Sequence, residues 1–311
     1  MTTAERVGRA SGPSQPFRNL NRFFRRHPRA GLFSLLTPPV AWLLFVYLAS
    51  LAMLVVAALY TLDPDSQKPT SDLTTANITD ALGDINVWSL FGKTVLTAVS
   101  VTLICALVAL PTCFFIAKIA PRWVRRGLLV SMLLPLWAGY MVKAYAWRAM
   151  VSPAGNRFAA AGRGGGGFLQ SVLGWTPGYG RTAVVIALVY LWLPYMILPI
   201  YAGLDRLPTS LLDAAGDLGA RPWRTFRSVI LPLLLPSVAA GSIFTFSLTL
   251  GDYILPRLLV DGKERVMFGE LINATLGGPN LPLAAAYTLF PLVMIVLYLL
   301  AMKRAGAFDN L

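Results

Sequence analysis

Charge is scarce in this sequence, and acidic charge most of all. Asp and Glu number 14 against 27 Lys and Arg in 311 residues, and charged residues make up only 13%. A soluble globular domain carries about a quarter, so an extensive water-facing surface is excluded. Cysteine and histidine are almost absent: two of the first, one of the second. Cys105 and Cys113 lie in one apolar run, about 12 Å apart along a helix, too far to bridge each other. His27 stands alone in a basic tail. No metal-ligand spacing, carboxylate pair or Ser/His set is present, so neither a catalytic nor a metal-binding residue is assigned. Two glycine stretches fall short of a phosphate loop. "GRGGGG" at Gly162–Gly167 lacks the following Lys-Ser/Thr, and "GKT" at Gly92–Thr94 has Val87 where the first glycine belongs. Both read as parts of an outer surface.

What the chain has instead is apolar length. Hydrophobic residues make up 56%, concentrated in six runs at about 32–61, 92–119, 127–150, 181–204, 233–256 and 282–302. Each is long enough for a hydrocarbon core of about 30 Å at 1.5 Å per residue. The first run is too long for the apolar part of a signal peptide and is expected to remain as a span. An all-α, polytopic membrane protein with six transmembrane helices is therefore expected. The domains are a basic tail at 1–31, a membrane domain at 32–302 and a short tail at 303–311.

The cations sit between the runs and account for the net charge of +13 without a nucleic acid. Arg6, Arg9, Arg18, Arg22, Arg25, Arg26 and Arg29 precede the first run. Lys118, Arg122, Arg125 and Arg126 follow the second, Arg206, Arg221, Arg224 and Arg227 the fourth, and Lys303 and Arg304 the last. The loop after the first run is acidic, with Asp63, Asp65, Asp72, Asp80 and Asp84. The positive-inside rule places both termini in the cytoplasm. It places there too the one long polar interruption, "LLDAAGDLGARPWRTFRSVILP" at Leu211–Pro232.

That interruption reads as helix. Leu211, Leu212, Ala215, Leu218 and Gly219 recur at helical spacing, Asp213, Gly216 and Asp217 lie on or beside the other face, and Arg221-Pro222 breaks the pattern. Residue chemistry alone leaves two readings. One is an amphipathic helix on lipid headgroups, held by Arg221, Arg224 and Arg227. The other is a small-residue face packed on a partner protein.

"DAAGDLG", followed nine residues later by "VILP", resembles the EAA loop of permease subunits of binding-protein-dependent ABC importers. Asp213, Ala214, Ala215, Gly219, Val229, Leu231 and Pro232 occupy the motif positions, with Asp213 for glutamate and Val229 for isoleucine. Leu134–Asn156, Tyr190–Pro208 and Gly241–Val260 further resemble the polyamine (spermidine/putrescine) branch of that family. The resemblance implies a type I ABC importer permease fold in a bacterial cytoplasmic (inner) membrane. It implies a coupling loop at 205–232, with Asp213, Ala214, Ala215, Asp217, Leu218, Gly219, Arg221 and Pro222 meeting a cytoplasmic ATPase dimer. It further implies a second permease subunit and an extracytoplasmic substrate-binding protein, with membrane lipid around the spans. ATP and Mg would be bound by the ATPase, leaving no cofactor and no enzymatic activity in this chain.

A path for a polyamine calls for carboxylates and aromatic faces. Asp252 is the only acidic residue deep in an apolar run, and such a carboxylate is a functional candidate. The plainer reading puts it at the outer end of the fifth span, in water or paired with Arg257. Tyr140, Tyr145, Trp192, Tyr195 and Tyr253 are the aromatic candidates, against the plainer reading of an interfacial belt. Lys143 and Arg148 snorkel outward or pair with Asp252. Two alternatives remain: a permease for another small solute, or a secondary transporter.

Overall fold

A computed structural model describes residues 28–63, 68–152, 167–260, 265–304 and 306–307. The basic tail before Pro28, with His27, most of the glycine run at 162–167 and Asp65 lie outside the described residues. The chain divides into two compact units, Met1–Val56 and Ala57–Leu311. The first contributes all but the last two residues of α1 (Pro28–Ala58), in which Leu36–Ala58 is long and apolar enough to cross a bilayer.

The second unit opens with an antiparallel hairpin, β1 (Tyr60–Leu62) and β2 (Pro69–Leu73), and a short helix α2 (Ala76–Gly83). Asn77 Nδ2 ties this lobe down by donating to the carbonyls of Ala58 and Tyr60 at 3.0 and 2.8 Å. The Asp84 carboxylate accepts from the Asn86 amide at 2.8 Å and so caps α3 (Ile85–Phe114), seven residues ahead of the apolar run that announced it. A π-helical turn, Phe115–Ile119, follows Pro111 and completes this span.

The third run is not one straight helix. It breaks into α4 (Arg122–Trp137) and α5 (Tyr140–Val151), which meet at 98°. Ala138 and Gly139 between them are extended, and Pro135 has already removed one of the last turn's hydrogen bonds. Among the described residues, the candidate crossings number six with this bent pair taken as one span and five without it.

After a one-turn helix α6 (Phe168–Leu173), α7 (Arg181–Arg206) forms the centre of the unit. Ala183, Ala187, Leu188, Ile197 and Ile200 are fully or almost fully buried there. The two thiols do not pair. Cys105 Sγ points at the Val189 carbonyl (3.6 Å) and Cys113 Sγ at the Ile197 carbonyl (3.5 Å), both on α7.

The Leu211–Pro232 interruption forms α8 (Thr209–Asp217), α9 (Pro222–Thr225) and a π-helical turn, Phe226–Ile230, running straight into α10 (Leu231–Leu250). The fifth run therefore ends at Leu250 rather than 256, because Gly251 closes the helix and a separate one, α11 (Ile254–Leu259), begins beyond it. Two further helices complete the unit, α12 (Phe268–Leu276) and α13 (Leu281–Arg304). α7 and α10 press together at glycines. A Cβ on Gly241 would meet Met196 Sδ at 2.8 Å and Pro199 Cγ at 3.0 Å, and one on Gly203 would run into the Ser237 side chain.

Candidate functional site

α7 ends beside the Leu211–Pro232 interruption and α10 starts from it. Residues past Leu250 thus lie at the opposite end of a long helix. The candidate residues fall into one group at each end.

At the first end, α8 stops at a left-handed glycine. Gly219 has φ +72°, its amide donates to the Gly216 carbonyl at 2.8 Å, and the Ala220 amide donates to the Ala215 carbonyl at 3.0 Å. This pair of bonds is a Schellman ending, which favours glycine for its positive φ. A Cβ there would touch nothing within 4 Å. Gly219 thus serves backbone geometry within this chain and leaves the space beside it open. Arg221 precedes α9 and Pro222 opens it, where a missing amide costs nothing.

The apolar stripe expected along α8 divides. Leu212 packs on the core and Ala215 is half-buried, but Leu218 is 88% exposed and nearby Trp223 is 70% exposed. Asp213, Ala214, Asp217 and Arg221 are exposed as well, and neither Asp213 nor Asp217 has a hydrogen-bond or ion-pair partner among the described residues. Two free carboxylates and two bare apolar side chains thus stand together on a segment with defined ends.

At the opposite end, the buried carboxylate is satisfied internally. Asp252 is only 7% exposed. Its Oδ1 accepts from the amides of Ile254 (2.9 Å) and Leu255 (3.2 Å), capping α11, and its Oδ2 accepts from Tyr140 Oη at 2.5 Å. Of the alternatives open for these cations, pairing with Asp252 is not the one adopted by Arg257, Lys143 or Arg148. Arg148 instead donates to the Leu258 carbonyl and lies 5.3 Å from the Tyr179 ring centroid. Tyr140 is the first residue after the 98° bend, so its hydroxyl fastens the corner of the bent span to the corner between α10 and α11.

Tyr140, Trp192, Tyr253 and Asp252, with Leu248, Gly251 and Ile254, line a cavity of about 240 Å³. The rings of Tyr140 and Trp192 stack at 6.0 Å, and Trp192 Nε1 is buried without a hydrogen-bond partner among the described residues. Tyr195 stands one layer back, against Trp192 at 5.9 Å and Phe244 at 6.3 Å. Tyr145 does not join them: it is 59% exposed and lines no part of the cavity. Gly269 was not picked out from the sequence, yet a Cβ there would strike the Asp252 carbonyl at 2.6 Å. The "FG" at the head of α12 is its only signal.

Residues 93–307 match the family described as binding-protein-dependent transport system inner membrane component. The chain belongs to that family. It is a permease subunit of an ABC importer and a multi-pass protein of the inner membrane. In this family ATP is hydrolysed by a separate subunit, and the permease works with that ATPase and a substrate-binding protein. The permease is 40% identical to the inner membrane ABC transporter permease protein YdcU of Escherichia coli (strain K12), across 96% of this chain and 97% of that one. It is 30% identical to the spermidine/putrescine transport system permease protein PotB of the same organism, across 68% of this chain and 76% of PotB. A bacterial alginate ABC transporter, solved with an alginate pentasaccharide-bound periplasmic protein, matches in fold. Its TM-score is 0.67 at 14% identity, covering 91% of this chain and 96% of that one.

Proposed function

We propose that this permease moves polyamines such as putrescine and spermidine inward by alternating access. It pairs with a second permease subunit, two ATPase subunits that bind ATP and Mg, and an extracytoplasmic binding protein. Both termini and the 205–232 loop face the cytoplasm, as the distribution of Lys and Arg requires. The loaded binding protein docks at the Asp252 end. ATP closes the ATPases, α8 carries that motion into the spans, and the cavity opens outward to receive the solute.

The observation that carries the substrate reading is the aromatic cavity around Asp252. A buried carboxylate and three aromatic rings suit a flexible cation, and the similarity to PotB supports the same class. One observation favours a different solute. Trp192 Nε1 is a donor without an acceptor, which a solute bearing hydroxyl or carbonyl groups would satisfy and an ammonium would not.

Uptake of labelled putrescine and spermidine by a host lacking its own copy tests the proposal. Wild-type chain should restore uptake, and Asp252→Asn should restore about a tenth of it or less. No restored uptake of either polyamine, in cells where the ATPase co-purifies with the chain, would leave the importer standing and remove the substrate assignment.

A further inference from the structure

Arg125 and Lys118 read in the sequence only as topology signals, yet each reaches across to α7 just before it runs into α8. The Arg125 guanidinium pairs with Asp205, donates from Nε to Tyr201 Oη at 2.6 Å, and lies 5.3 Å from the Tyr201 ring centroid. Lys118 Nζ donates to the Leu207 carbonyl at 2.8 Å. Leu207 is the C-terminal cap of α7, and only Pro208 separates it from α8. An exposed ion pair by itself contributes little. Here a planar donor fork meets a carboxylate, a hydroxyl and a ring together, which fixes its direction. Lys118 adds a cation at a helix C-terminus, where the backbone dipole favours it.

The Arg125 contacts join two bodies, while Lys118, on the turn that completes the α3 span, steadies the end of α7. α7 and α10 form one, locked at Gly203 and Gly241 and carrying α8–α9 between them. The bent span is the other, with Arg125 near one end of α4 and Tyr140 beyond the other.

We propose that Arg125, assisted by Lys118, is the joint through which displacement of α8 is passed to the bent span and so to the Tyr140–Asp252 corner. Both are positioning residues: they touch neither solute nor nucleotide. The inference rests on the reading that α8 docks an ATPase.

The test uses the full transporter complex in lipid nanodiscs, with spin labels at Trp137→Cys and Leu211→Cys, both on exposed positions. Distances between the labels are measured with and without ATP, alongside ATP hydrolysis and amide exchange across Thr209–Asp217. In the labelled parent, ATP should shift the distance. Arg125→Ala and Asp205→Asn should keep the ATPase bound and hydrolysing, lose most of the shift, and exchange about tenfold faster in α8. The swapped pair Arg125→Asp with Asp205→Arg should recover the shift, which a merely destabilising effect would not. An unchanged shift in both single variants, or no shift in a parent that holds its ATPase, overturns the joint and leaves the docking reading intact. A parent that holds no ATPase overturns the docking reading itself, and the joint with it.

Discussion

The two ends of this permease treat carboxylates in opposite ways. At the α8–α9 end Asp213 and Asp217 are exposed without partners among the described residues, beside Leu218 and Trp223. At the Asp252 end both carboxylate oxygens are occupied by this chain's own donors. Free acceptors next to bare apolar side chains are what the proposed docking of an ATPase on α8 requires. A buried, satisfied carboxylate holds two parts of the same chain in register, because leaving it unpaired would cost several kcal/mol. The contrast separates carboxylates left open to the surroundings from one that aligns two parts of this chain while lining a cavity.

The largest effect should come from breaking the first end. Gly219→Val places a β-branched residue at φ +72°, a conformation that costs about 1–2 kcal/mol even for an ordinary residue. The chain should still insert, while ATPase retained on purification falls at least about tenfold as α8 loses its ending. Next comes Asp252→Ala, which orphans the Tyr140 hydroxyl and the amides of Ile254 and Leu255 together. It should lower stability in detergent by about 3 kcal/mol, read as a drop in thermal midpoint, and abolish uptake. Gly241→Leu should cost about 1–3 kcal/mol by overpacking against Met196 and Pro199, read the same way, with ATPase retention preserved in the folded fraction. Tyr145→Ala should change uptake less than about twofold, because the ring is exposed and away from the cavity. A large loss there would blur the line between the corner and its surroundings.

Much of this was legible in the amino-acid pattern. Apolar length announces the spans, and the spacing from Asp213 to Pro232 announces the interruption between two of them. What escaped is local backbone chemistry inside apolar stretches. The bend at Ala138–Gly139 leaves no mark on hydropathy, since both halves of the run are apolar. The end of α10 at Leu250 is hidden in the same way, because "DYILP" continues the run while Asp252 starts a new helix. Gly219 shows another kind of gap: its place in the motif is legible, but the left-handed helix ending it supplies is a backbone property that the pattern does not display. Arg125 and Arg148 were read as charges, whereas their roles follow from planar geometry and from carbonyls that only the fold brings near. Tyr145 fell with Tyr140 in the sequence, yet five residues along a helix turn it to another side.

The most direct measurement is photo-crosslinking from Leu218, replaced by a benzophenone amino acid in the native host membrane. The account predicts an adduct with the ATPase subunit, abolished by Asp213→Arg. Adducts with lipid alone, unchanged by that substitution, would contradict it and make α8 a helix of the membrane surface.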